Sequence, residues 1–262
     1  KPSSAASDVY KRQTVTWAGN RWWVAFPFVD GRHVARDHVD EATATVFGET
    51  LGRVHRALDD TPTDLLRRMP VKGAPTPEAT LNRIRAFEAE ITRRPVVTAF
   101  DGHALASLAY RRSVIESDAG QWAGFNLPTG AIHGDFHVGN VRFHNEASTV
   151  VNAVLDWELA SVAPRALDVA RALDLAQGYG RYATLGDLAT ERMASLYRIA
   201  RTHSLWVYEE HYRLGEAPTD GVAIDDLTTL QWWHRERDAI TSTVVDAFAS
   251  TSTPRVISTR AP

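Results

Sequence analysis

The stretch His133-Gly134-Asp135-Phe136-His137-Val138-Gly139-Asn140, with Asp156-Trp157-Glu158 starting sixteen residues beyond Asn140, constrains this chain more than any other feature. Two short apolar pieces lie between, Val141-Arg142-Phe143 and Val150 to Asp156, separated by Asn145-Glu146. They read as a β-hairpin embedded in a mostly helical region. Asp135 and Asn140 share one short loop, and the hairpin folds the chain back so that Asp156 arrives at the same place from a strand end. Two carboxylates and one amide oxygen then converge, an arrangement that a hard divalent cation would stabilise.

The rest of the pattern supplies the frame. Thr14-Val15-Thr16-Trp17, Gly19-Asn20 and the run Arg21 to Val29 read as two strands joined by a tight turn. The second run is apolar almost throughout, which predicts a strand buried on both faces and ended by Asp30-Gly31. Helical spacing over Asp37 to Leu58 sets Val46, Leu51, Val54 and Leu58 near one face. Asp59 to Pro77 is rich in Pro, Asp and Gly and predicts an irregular connection. Helices are expected at about 78–93 and 97–117, then over Ala166 to Gln177, Leu185 to Leu214 and Ala223 to Phe248, with a flexible tail from Ser250.

Composition narrows the function classes. A net charge of −3 with no basic run gives no footprint for nucleic acid. No apolar stretch reaches the length of a membrane span, so no membrane partner is expected. There is no cysteine, hence no disulfide framework. With no charged-then-apolar leader in view, a cytoplasmic location is the expectation.

Phosphoryl transfer needs a carboxylate to take or orient the proton of the attacking group, and oxygen ligands to hold Mg²⁺ on the phosphates. The Asp135-to-Asn140 spacing is that of a kinase catalytic loop. Here the sequence resembles the aminoglycoside phosphotransferase and choline kinase-like family of the protein-kinase-like fold. His133-Gly134-Asp135 with Asn140 is similar to that family's catalytic loop, and Leu155-Asp156-Trp157-Glu158 to its metal-binding strand end. Pro164-Arg165-Ala166-Leu167-Asp168-Val169-Ala170 resembles the segment that supports the loop. Leu51-Gly52-Arg53-Val54-His55 resembles the helix ending in a Leu/Val-His pair, and Phe26 to Gly31 the hinge. The resemblance runs from about Thr14 to Leu175.

It implies an α+β, protein-kinase-like chain: a mostly helical C-lobe with an embedded β-hairpin and an incomplete β N-lobe. Residues 1–30 would be the N-lobe remnant and hinge, 31–250 the helical lobe, and 251–262 the tail. Asp135 would be the catalytic base and His133 its companion in the catalytic loop, read as a brace ahead of proton transfer. Asn140 and Asp156 would be the Mg²⁺ ligands. The hinge residues Phe26, Pro27, Phe28 and Val29 would hold adenine, through the carbonyl of Pro27 and the N–H of Val29. ATP and Mg²⁺ are the implied cofactors. The γ-phosphate would pass to a hydroxyl or amine of a small-molecule acceptor such as an aminoglycoside, amino sugar or amino alcohol. The strand lysine expected in the N-lobe has only Lys1 and Lys11 as candidates, so a partner chain completing the lobe is one expectation. A non-catalytic or partner-completed subunit and a peptide Ser/Thr kinase are the alternatives.

Each residue also has a plainer reading. Asp168 is expected to cap its helix and hydrogen-bond the catalytic loop, as support rather than chemistry. His55 reads as a satisfied core histidine. His137 either contacts a phosphate or sits at the loop surface. Trp206, Tyr208, Glu209, Glu210, Tyr212 and Trp232-Trp233 read first as packing, with one or two reaching substrate. Trp206 and Glu209 are the candidates there, and Glu158, beside Asp156, is the stronger one.

Overall fold

The computed structural model describes residues 14–25, 27–35, 38–73, 75–117, 127–144, 150–172, 178–214 and 220–249. Lys1, Lys11, Phe26, the Asn145-Glu146 turn and the tail lie outside the described residues.

Strands β1 (Thr14–Ala18) and β2 (Arg21–Ala25) form an antiparallel hairpin. Gly19 and Asn20, at φ 58° and 64°, make the left-handed two-residue turn that suits strand twist. The expectation of a doubly buried second strand is overturned. β2 stops at Ala25, Trp23 is 54% exposed and Phe28 85% exposed. Among the described residues β2 pairs with β1, and Trp23 shows that one of its faces is open.

The chain next meets the second hairpin. Arg32 exchanges both backbone hydrogen bonds with Phe143, at 2.9 and 2.8 Å. Gly31 (φ 118°) makes this contact possible, because a Cβ there would stand 2.5 Å from the Phe143 carbonyl oxygen. Helix α1 (Glu41–Asp59) starts later than the periodicity suggested, because Asp40 caps it by accepting from the Thr43 N–H at 2.8 Å. Its buried stripe is Ala44, Phe47, Gly48, Leu51, Gly52 and His55. Val46, Val54 and Leu58 are only partly buried, so the predicted face was displaced by a residue or so around the helix.

The expected irregular connection contains the short helix α2 (Thr63–Leu66) and a bridge from Val71 to Val162. Helix α3 (Pro77–Thr92) opens on proline at its first position, where no N–H is needed. Helix α4 (Ala99–Ser117) opens on a reciprocal cap, with Thr98 N–H donating to Asp101 Oδ2 and Asp101 N–H to Thr98 Oγ1.

Two more antiparallel pairs frame the loop at 133–140. β3 (Thr129–Ile132) pairs with β6 (Ser161–Pro164), and β4 (Val141–Phe143) with β5 (Val151–Val154). Helix α5 (Ala166–Arg171) follows and is shorter than expected within the described residues. The predicted helix 185–214 divides into α6 (Asp187–His203), α7 (Trp206–Glu209) and a π turn over Glu210–Leu214. The predicted helix 223–248 divides into α8 (Asp220–Arg235) and α9 (Arg237–Ala249).

Two apolar cores result. One joins α1, the loop, the β4–β5 hairpin, α5, α6 and α9 through Phe47, Phe136, Phe143, Val169, Met193 and Val244. The other joins α3, α4 and α7 through Ile84, Phe87, Leu108, Val207 and Tyr208. Each fully buried side chain of this size contributes roughly 1.5–3 kcal/mol. Among the described residues no helix is long and apolar enough to cross a membrane.

Candidate active site

Asp168 anchors the catalytic-loop segment. Its Oδ2 accepts the His133 backbone N–H at 2.8 Å and its Oδ1 accepts that of Gly134 at 2.9 Å. His55 Nε2 lies 3.2 Å from Oδ2, and Tyr179 OH lies 2.9 Å from His55 Nδ1. Asp168 does not cap α5, whose N-terminal residue has no side-chain cap; both oxygens are committed to the loop and His55. Gly134 sits at φ 87°, and a Cβ would stand 2.1 Å from the Leu159 carbonyl oxygen. Only glycine permits this approach.

His133 is fully buried and occupied at both nitrogens. The Asp135 N–H donates to Nδ1 at 3.2 Å, which puts the ring proton on Nε2, 2.8 Å from the Leu155 carbonyl. Leu155 N–H in turn donates to the Asn140 carbonyl at 2.8 Å. Leu155 thereby stitches the β5 end to both sides of the loop, and Asp156 follows it directly.

Asp135 and Asn140 are hydrogen-bonded to each other, and Leu155 ties the strand end that precedes Asp156 to the same loop. The Asn140 side-chain N–H₂ donates to the Asp135 carbonyl at 2.9 Å and to Asp135 Oδ2 at 3.3 Å. The amide nitrogen is thus engaged within the loop, and no described bond takes the amide oxygen. Asp156 holds the left-handed conformation at φ 63°, uncommon for a non-glycine residue, and is exposed with no helix-cap bond. Among the described residues no group of three or more His, Cys, Asp or Glu forms a metal cage. One amide oxygen and one carboxylate nevertheless suit Mg²⁺, which keeps water and takes phosphate oxygens as its other ligands.

Asp135 has a histidine on one side and an arginine on the other. His137 Nδ1 accepts from the Gly139 N–H at 3.1 Å, leaving its Nε2 proton 3.5 Å from Asp135 Oδ2. Arg171 ion-pairs with Asp135 Oδ1. The hydrogen bond from His137 is the main reason the Asp135 carboxyl titrates below its usual range. Partial burial opposes it and the Arg171 charge supports it. Asp135 is therefore ionised at neutral pH.

The remaining candidates are spread out. Pro27 and Phe28 are exposed, and Val29 lies near the hairpin, its carbonyl 3.4 Å from an Arg142 nitrogen. Glu158 is exposed on the turn after Asp156. Glu209 is bound to Arg83 at 2.6 Å, and with Trp206 it sits on α7, which packs into the second core; no described contact brings either to Asp135. Tyr208 and Tyr212 spend their hydroxyls on Ser107 (2.7 Å) and Asp101 (2.8 Å). A cleft of about 350 Å³, lined by Leu58, Asp59, Gly130 and Arg165 among others, holds none of Asp135, Asn140 and Asp156. Sequence reasoning missed Arg171, one position past the segment that it singled out. The spacing Asp168 to Arg171, one turn of one helix, was the available signal.

A helical lobe carrying this loop and hairpin defines a protein-kinase-like fold. Residues 7–211 match the profile of the phosphotransferase enzyme family, and the chain belongs to that family. Solved structures agree on the fold. The GDP complex of an aminoglycoside 2'-phosphotransferase-IIIa variant superposes with a TM-score of 0.58 at 12% identity, covering 87% of this chain and 75% of that one. A Plasmodium vivax ethanolamine kinase gives 0.55 at 15% identity, over 86% and 69%. Spectinomycin phosphotransferase with ADP and spectinomycin gives 0.54 at 16%, over 90% and 73%. No curated protein matches the chain at a significant level.

Proposed function

We propose that this phosphotransferase moves the γ-phosphoryl group of ATP to a hydroxyl of a small molecule, with Asp135 as the base. The observation that carries this reading is the fixed carboxylate of Asp135, held between Asn140, His137 and Arg171 on a loop clamped by Asp168. The acceptor hydroxyl gives its proton to Asp135, its oxygen bonds to the γ-phosphorus, and the bond from that phosphorus to the β,γ-bridging oxygen breaks to release ADP.

Asn140 and Asp156 are the residues that would hold Mg²⁺, which when bound neutralises charge on the phosphates. Pro27 and Val29 would meet adenine from the hinge. His133 is a positioning residue in this scheme, because its only ring proton is given to Leu155. Residues up to about 30 act as N-lobe and hinge, and those from 31 as the acceptor-side lobe. Proteins of similar fold include a phosphotransferase bound to GDP and kanamycin, one bound to ADP and spectinomycin, and an ethanolamine kinase, which supports a small acceptor and a nucleotide donor.

The test is Asp135→Asn, followed by ADP release with a panel of acceptors. We expect kcat to fall on the order of 10²–10⁴-fold with nucleotide affinity nearly unchanged, because a base acts only in the transition state. A variant that keeps most of its kcat would remove Asp135 from this role.

A further inference from the structure

Beyond the pairing of Arg171 with Asp135, the scheme above gives no task to the rest of the Arg171 guanidinium or to Lys72. Arg171 ends α5, one turn beyond Asp168. While Asp168 holds the N–H groups of His133 and Gly134, Arg171 reaches the next residue and pairs with Asp135 Oδ1. About a third of the Arg171 side chain is exposed, and its one described bond leaves most of the guanidinium's five donors available.

Lys72 arrives from the far side of the β3–β6 sheet. Its backbone N–H donates to the Val162 carbonyl at 3.0 Å, Val162 N–H donates to the Pro70 carbonyl at 2.8 Å, and Val71 bridges Val162. Val162 pairs with Ala131, four residues before Asp135. The charges that act on the Lys72 ammonium are those of Arg171, Asp168 and Asp135. Burial, and then the Arg171 charge, push its pKa down, with the two carboxylates pulling the other way. Asp168 is already saturated by two N–H groups and His55. Arg171 pairs with Asp135, and Lys72 is exposed on the segment bonded to β6, so an anion placed between the two cations would relieve their repulsion.

The two oxygens of Asp135 separate the sides of the site. Oδ2 faces Asn140 and His137, the side assigned to metal and nucleotide, and Oδ1 faces Arg171. We propose that Arg171 and Lys72 form an anion-binding subsite for the acceptor, so that the substrate is a small hydroxy compound bearing a carboxylate or phosphate. This rests on the phosphotransferase reading and sharpens its substrate class. A polycationic aminoglycoside or an amino alcohol would bring like charge to this wall. No described bond ties the exposed Glu158 to Asp135, whereas Arg171 pairs with Asp135 directly.

The experiment is calorimetric titration of the full chain loaded with Mg-ADP. The probes are glycerate and glycerol 3-phosphate on one side, ethanolamine and kanamycin on the other. The anionic probes should bind at least about tenfold tighter than the cationic ones. Arg171→Ala and Lys72→Ala should each weaken the anionic probes about tenfold while ADP affinity stays within about twofold, with Arg171→Lys retaining part of the binding. Tighter binding of the cationic probes, binding of neither set, or anionic binding indifferent to both substitutions overturns the proposal. So does a loss confined to ADP, which would assign these cations to the nucleotide phosphates. Failure of the wild-type chain to bind ADP, measured first, would instead sink the phosphotransferase reading and the subsite with it.

Discussion

His55 and Asp168, 113 positions apart in the chain, meet with both side chains fully buried, Nε2 standing 3.2 Å from Oδ2. The carboxylate has two backbone N–H groups to hold as well. This pair fastens α1 to α5 and sets the height of the catalytic loop above both. Removing the carboxylate leaves three polar partners buried without their acceptor. Asp168→Ala should therefore cost on the order of 3–5 kcal/mol in urea unfolding. A loss within about 0.5 kcal/mol of zero would show that water replaces the carboxylate and that the clamp is not structural.

Gly134 gives the second prediction. Its φ of 87° and the Leu159 carbonyl oxygen 2.1 Å from an added Cβ leave no room for any side chain. Gly134→Ala must displace either the loop or the turn at residues 157–159, and Asp156 lies at the start of that turn. We expect a lower melting temperature together with at least about a tenfold drop in kcat/KM, since small displacements of reacting groups are costly. Full activity in Gly134→Ala would mean that the loop geometry is not needed for transfer.

The site was legible where its residues are close in sequence. Asp135 and Asn140 lie five apart and needed only a loop to meet, and the β4–β5 hairpin before Asp156 showed as two short apolar runs. What escaped depends on distant partners. Residues 70–72 lie along β6, and Thr129–Ile132 and Ser161–Pro164 are four-residue strands, one holding a glycine and the other ending in proline. Such pieces read as loops until each finds the other. Glu209 looked available on sequence grounds, but Arg83, 126 positions away, occupies it. The apolar run Arg21 to Val29 looked buried because periodicity reports what a strand could bury, and not whether anything covers it, as the exposed Trp23 and Phe28 show.

His203 sets a pH dependence that is independent of the active site. Its Nδ1 lies 2.5 Å from Thr80 Oγ1 at the join of α3 and α6, and burial, with the Arg111 charge second, lowers its pKa to about 4. The unfolded chain takes up a proton at this histidine near pH 6.5, and the folded chain only near pH 4. Stability from the neutral ring is complete above about pH 6.5 and is lost progressively as pH falls toward 4, by roughly 3 kcal/mol. Unfolding midpoints measured from pH 7 to 4.5 should fall more steeply in the wild type than in His203→Gln. Equal slopes would mean that the ring is already protonated in the folded state.

Asp156 carries the last prediction. Leu155 fixes the chain on either side of the loop, its N–H bound to Asn140 and its carbonyl to His133, yet the Asp156 carboxylate one residue on is exposed. Its backbone is held at φ 63°, a conformation that costs on the order of 1 kcal/mol for a residue other than glycine. Strain tolerated beside a rigid strand end is consistent with a side chain whose stabilising partner is a cation. Asp156→Ala should therefore leave ADP binding without Mg²⁺ nearly unchanged and abolish most of the gain that Mg²⁺ brings, a loss of roughly tenfold or more in Kd. Asp156→Gly separates strain from ligation, because it relieves the backbone while also removing the carboxylate. If it is more stable than Asp156→Ala but equally blind to Mg²⁺, both roles hold. If either variant keeps the full Mg²⁺ effect, the cation is held by other groups, and Asn140 loses its partner in the assignment.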